Sequence, residues 1–191
     1  GEVTVALKSF SEVTLLAEDA LWKGNVDHSW YDANKTELTI ANADQLAAFG
    51  AIVGGMAEGI EQDSFSGKTV KLIADINLGG LEWDPIGRFT FGDGVFAESR
   101  AFCGTFDGNG HTVSNFKITK VSNKEHKFYF GLFGYAINAT FKDLCVESFD
   151  ISITMFNDHY QFILDYGMLY AGGLVAYADN TYFENCSVSG A

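Results

Sequence analysis

The chain repeats itself, and that constrains its fold more than any other property. GLFGYAINATFKDLCV, from Gly131, aligns with GLVAYADNTYFENCSV, from Gly173, at a constant offset of 42 residues. Gly131 meets Gly173, Leu132 meets Leu174 and Tyr135 meets Tyr177. Phe141 meets Phe183, Asp143 meets Asn185 and Val146 meets Val188. An earlier copy sits 28 residues upstream, placing Val113, Asn115, Phe116 and Ile118 over Phe141, Asp143, Leu144 and Val146. The shared pattern is apolar, any, Asn/Asp, apolar, any, apolar. Similarity at periods of 20–50 residues marks a solenoid, whose units bury their apolar faces only against neighbouring units.

The repeating unit reads as strand, glycine turn, strand, with no helix, so the expected fold class is an all-β solenoid of the β-helix type. Composition agrees: glycine is frequent at 21 residues, Pro85 is the single proline, and β-branched and aromatic residues abound. The period predicts about five coils. A fixed Asn or Asp in each coil is expected to hydrogen-bond backbone at a corner. Unequal spacings of 28 and 42 imply loops bulging between coils, with the aromatic-rich stretch around 150–170 the clearest case. That stretch reads either as an extra strand pair on the wall or as an exposed binding loop.

The first part of the chain has a different texture. Residues 1–22 alternate weakly, as one or two edge strands would. WKGNVDHSWYDANKTELTI is rich in aromatics and turns and ends in a strand-like run at 37–40. The one good helix candidate covers 43–58, with Leu46, Phe49, Val53 and Met56 on one face. Asn42 is placed to cap it, with Gln45 as the capping-box partner. Gly54, Gly55 and Gly59 predict its end. The expected organisation is 1–66 as edge strands, aromatic entry segment and capping helix, then 67–191 as repeats, the two forming one continuous domain.

From about residue 22 to 191 these parts resemble the GLUG-motif family of bacterial surface proteins. WKGNVDHSWYDANKTELTIANADQLAAF is similar to that family's entry segment. FSGKTVKLIADINLGGLEWDPIG and FCGTFDGNGHTVSNFKI look like its first two coils, and GLFGY and GGLVAY like the glycine-leucine repeat itself. Ala176 departs from the pattern, standing where glycine is usual. The resemblance implies a right-handed parallel β-helix with an N-terminal helical and aromatic cap. It implies a secreted or cell-surface setting and an adhesion-like or glycan-associated role. Because the chain stops at NCSVSGA directly after a repeat strand, further domains of the same protein are expected beyond it.

Charge narrows the partners. The formal net charge is −13 and the only arginines are Arg88 and Arg100, which speaks against nucleic acid and anionic membranes. No run approaches the ~18 apolar residues of a membrane span. Cys103, Cys145 and Cys186 are odd in number and spaced unlike a zinc site, so buried or half-buried free thiols are the leading reading, with one disulfide plus one thiol as the other.

Candidate chemistry concentrates in a few places. In DGNGH, Asp107 and Asn109 suggest calcium, yet the loop lacks the further carboxylates such a site takes, so a structural corner with Gly108 and Gly110 at positive φ is the favoured reading. Asp93 in FGDG is a similar case. His111 is a general-base candidate without an evident partner, and His28, His126 and His159 carry no stronger signal. Many β-helix enzymes cleave acidic polysaccharides. Lys117, Lys120, Lys124 and Lys127 could serve a lyase, but the acidic chain opposes uronate substrates; hydrolases of the polygalacturonase type need grouped carboxylates that come with Gly-His-Gly and Arg-x-Lys segments, and neither segment occurs. Neither a catalytic residue nor a cofactor nor a metal is expected. Trp22, Trp30, Tyr31 and Trp83, with Tyr160 and Tyr166 of the 150–170 stretch, are the candidate sugar-stacking residues. For the first four the favoured reading is a plug for the open end of the solenoid, with sugar stacking the alternative. The function expected is a surface-displayed structural or adhesion module, with host or microbial glycans or surface proteins as partners. Glycan binding is the alternative, ahead of a polysaccharide lyase or hydrolase.

Overall fold

The computed structural model describes residues 21–91, 97–122, 128–155 and 169–190, and the edge strands expected in 1–22 lie almost wholly outside them. The protein is mostly β, and its strands stack in parallel on their counterparts from other segments. One face holds five strands in chain order: Glu37–Ile40, Thr69–Leu72, Thr105–Asp107, Thr140–Lys142 and Tyr182–Glu184. A second face holds Ile76–Asn77, Thr112–Ser114, Cys145–Glu147 and Ser187–Ser189. Three further parallel pairs join Lys117–Ser122 to Asp150–Met155, Phe128–Phe130 to Leu169–Ala171, and Phe133–Ile137 to Val175–Asp179. Among the described residues the one antiparallel pair is Arg88–Phe91 with Ala97–Arg100. No helix among them is long and apolar enough to cross a membrane.

Strand alternation turns every second side chain inward, and register stacks these into ladders. On the first face Leu38, Val70, Phe106, Phe141 and Phe183 lie one above another. The first four are buried, whereas Phe183, on the last strand, is 50% exposed. Phe141 and Phe183 stack with ring centroids 5.4 Å apart and planes 11° apart. On the second face the ladder is Ile76, Val113, Val146 and Val188.

The register corrects the upstream alignment. Val113 pairs with Val146, not Phe141, and Ile118 pairs with Ile151. The 28-residue match had slipped by one corner. It could slip because successive corners carry similar chemistry: Asn115, Asn138, Asp143, Ser148, Asn180 and Asn185 all have φ between 45° and 58°. That left-handed region is costly for most L-residues and is tolerated best by Gly, Asn and Asp. Two residues join Lys142 to Cys145 and two join Glu184 to Ser187, so one left-handed residue makes each corner. The corner side chains also bond between neighbouring rungs rather than only to backbone. Asn180 Nδ2 donates to Asn138 Oδ1 at 2.6 Å, and Asn185 Nδ2 to Asp143 Oδ1 at 3.0 Å.

The helix spans Ala43–Val53, shorter than the expected 43–58. Asn42 caps it, accepting from Gln45 N at 3.0 Å, while Gln45 Oε1 accepts from Ala41 N at 2.8 Å. At the other end Gly55 N donates to Ile52 O and Met56 N to Ala51 O, the paired bonds that close a helix through a left-handed Gly55 (φ 62°). Met56 therefore falls past the helix and is exposed, whereas Leu46, Phe49 and Val53 are fully buried. Arg88 and Arg100 both donate to Gly54 O, placing the chain's two arginines on the negative end of the helix dipole. Phe49 is the plug. Its ring contacts those of Phe65, Phe102, Phe106 and Phe133 at 4.8 to 6.1 Å, seating the helix on the ladder core.

Position along the ladder should set the value of each phenylalanine. Phe141→Ala is expected to cost about 3–5 kcal/mol in urea unfolding, and Phe183→Ala only about 1 kcal/mol, since its ring is half in solvent. Equal losses would show that the two rungs are not packed as described.

Candidate ligand-contacting surfaces

The DGNGH corner is held by its own polar groups. Asp107, 6% exposed, pairs with Lys142 Nζ at 2.9 Å and accepts from Asn109 N at 2.8 Å. Asn109 and Gly110 take positive φ, at 53° and 80°. Gly108 does not. Glycine is required there because a Cβ would lie 2.4 Å from Asp143 O on the neighbouring rung. The corner has four residues between Asp107 and Thr112, two more than its counterpart, and so bulges outward. His111 has a partner in Asp75, at 3.1 Å, and Asp75 Oδ1 also accepts from Thr112 N. The Thr112 amide foremost, then His111, holds the Asp75 carboxyl below its usual range. Among the described residues no group of three or more His, Cys, Asp and Glu side chains is placed to hold a metal ion. Cys103, Cys145 and Cys186 are free thiols, each half-buried. Asp93, Lys124, His126, Lys127, His159, Tyr160 and Tyr166 lie outside the described residues.

The four aromatic candidates of the entry region fall into two groups. Trp30 and Tyr31 pack edge to face on Phe49 and Phe65 respectively, at 6.3 and 5.8 Å. Tyr31 Oη donates to Asp63 Oδ2, which also pairs with Lys68 Nζ. Burial first, then the bonded Asp63, pushes the Tyr31 phenol well above its ordinary pKa. Trp22 and Trp83 form the other group, with centroids 5.7 Å apart. Trp83 is 5% exposed and donates to Leu132 O, tying the 81–86 segment to the glycine-leucine turn.

A third aromatic assembly was not anticipated. In Phe128–Phe130 and Phe133–Ile137, alternation turns Phe130 and Ala136 inward and their neighbours Tyr129 and Tyr135 outward, and Tyr170 and Tyr177 on the partner strands are likewise half-exposed. Register then stacks them in pairs. Tyr129 lies over Tyr170 with centroids 5.1 Å apart and planes 4° apart, and Tyr135 over Tyr177 at 5.2 Å and 26°. The pairs meet edge to face, with Tyr129–Tyr177 at 5.8 Å and Tyr170–Tyr177 at 5.3 Å. Phe89 extends the row, 5.6 Å from Tyr135.

Glycine lets the strands bring these rings together. A Cβ on Gly131 would meet Gly172 O at 2.3 Å, and one on Gly134 would meet Gly87 O at 2.5 Å. The 42-residue alignment exposed half of this assembly, through Tyr135 and Tyr177. It hid the other half because Tyr129 pairs with Tyr170 at an offset of 41, Gly172-Gly173 carrying one residue more than Gly131.

Such a surface offers flat π faces with phenolic hydroxyls around them, suited to contact rather than bond cleavage. Burial first, and then the three neighbouring phenols, pushes the Tyr129 pKa up to about 12. The folded chain thus holds this phenol neutral. Its contribution to stability is complete below pH 10 and declines as pH rises from 10 towards 12. In an alkaline absorbance titration, Tyr129→Phe should remove a step near pH 12 relative to the parent. Loss of a step near pH 10 instead would mean that Tyr129 is not packed within the cluster. Comparison with family models, curated proteins and solved structures finds no match to any of them.

Proposed function

We propose that this chain is a non-catalytic adhesion or structural display module of a bacterial cell surface, built as a right-handed parallel β-helix with a helical and aromatic cap. The observation that carries the proposal is the row of four stacked tyrosines on the outside of the glycine-leucine rungs. A tyrosine fixed by its neighbours has little side-chain freedom left to lose, so a rigid aromatic face binds at low entropic cost. Parallel stacking on left-handed Asx corners supports the β-helix, since each rung then buries its inward ladder only against neighbouring rungs. In this reading the secreted or surface setting fits a protein that presents one long wall to a partner, and nucleic acid is disfavoured by the net charge of −13.

A second reading, glycan binding, is favoured by the same tyrosines, because the apolar faces of sugar rings stack on aromatic planes while phenols bond their hydroxyls. Polysaccharide cleavage ranks behind both. The Asp107 carboxylate is already paired with Lys142, and Asp75 is engaged by His111 and Thr112.

A glycan array and binding to surface-protein-coated beads separate the two readings. The double substitution Tyr135→Ala with Tyr177→Ala should weaken retention on whichever surface binds by at least ~tenfold while the chain stays folded. Retention on glycans selects the second reading, and retention on protein alone selects the first. Undiminished retention of the double variant would refute the role given to the tyrosines.

A further inference from the structure

A cavity of about 230 Å³ opens where the entry segment, the capping helix and the 82–84 segment meet. Its lining includes Trp22, Val26, Met56, Glu82, Trp83 and Asp84. Both indole N–H groups are already committed: Trp22 Nε1 donates to Asn25 O at 2.9 Å, and Trp83 Nε1 to Leu132 O at 3.0 Å. The tryptophans therefore bring aromatic surface to the cavity and no donor. Met56 and Val26, 47% and 49% exposed, extend the apolar lining at the mouth.

The polar side chains of the lining are of one kind. Glu82 and Asp84 are exposed carboxylates on either side of buried Trp83 and are the charged side chains of the lining; outside it, Arg88 donates to Met56 Sδ at 3.2 Å and Lys117 lies close enough to Glu82 to act on its charge. The Thr119 amide donates to Glu82 Oε2 at 2.9 Å and holds its carboxyl below the usual range, which keeps the charge in place at neutral pH. A neutral sugar asks for donors and acceptors together, and these side chains supply acceptors only. An anion would meet two negative charges. An apolar cation fits both parts of the lining: methyl groups against the indoles and Val26, positive charge against carboxylate and π face.

We propose that this cavity binds a small organic ammonium group of about the size of choline. The site is separate from the tyrosine face and does not depend on it.

Isothermal titration of the folded chain with choline chloride, at fixed ionic strength, tests this. Saturable binding is expected, accompanied by a change in tryptophan fluorescence. The neutral isostere 3,3-dimethyl-1-butanol should bind at least ~tenfold more weakly, because it keeps the shape and loses the charge. Asp84→Asn, at an exposed position that leaves the packing alone, should weaken choline binding several-fold, and adding Glu82→Gln should weaken it further. Circular dichroism melting of both variants confirms that they remain folded. Absence of saturable choline binding would overturn the proposal. So would equal affinity for the isostere, or equal affinity in the doubly substituted chain.

Discussion

At Asp143 and at Asn185 the wall must change direction within two residues, and the backbone manages this by entering the left-handed region. For an ordinary L-residue that conformation costs roughly 1–2 kcal/mol, so a stack with several corners per rung would lose much of its stability to turning. Asn138, Asp143, Asn180 and Asn185 reduce the cost, since short polar side chains tolerate positive φ. They also bond to one another across rungs, Asn180 to Asn138 and Asn185 to Asp143. Corner and register are thereby coupled. A rung that slipped would lose both its ladder contacts and its corner bonds.

The core follows from those corners. With direction fixed at Asp143 and Asn185, Phe141 and Phe183 must face inward and Val146 and Val188 must complete the adjacent wall. Such ladders are open at their ends. Phe49 inserts among Phe65, Phe102 and Phe106 and seats the helix on the ladder core, and the two arginines fasten the helix end to the antiparallel pair. Outside the wall, the same alternation that buries Ala136 leaves the adjacent Tyr135 half-exposed beside Tyr177. The surface offered for contact is a by-product of the core's own geometry.

How far this was legible in the sequence varied with how local the cause was. The helix start at Asn42, the buried face of Leu46, Phe49 and Val53, and the 42-residue relation of Phe141 to Phe183 all rest on neighbouring residues or a constant offset. The 28-residue relation failed because Asx corners recur within a rung as well as between rungs. Matching Asn115 to Asp143 compared two different corners. Gly108 was assigned a positive φ, but its constraint is the carbonyl of Asp143 pressing against it, which only the neighbouring rung supplies. The tyrosine row was half hidden by the single extra glycine at Gly172-Gly173, which shifts Tyr170 by one position against the repeat. The sequence offers Trp22 and Trp83 as sugar-stacking or plug residues, yet nothing local in it indicates that they share a cavity with Glu82 and Asp84.

Ladders, corners and tyrosine face all depend on the stacking register. Inter-strand backbone nuclear Overhauser contacts, read from an isotopically labelled chain, report it directly. The stacked arrangement predicts contacts linking Val113 to Val146, Val146 to Val188, and Ile118 to Ile151. Contacts linking Ile118 to Val146 instead would move every rung by one corner and contradict the ladders, the corners and the tyrosine face together.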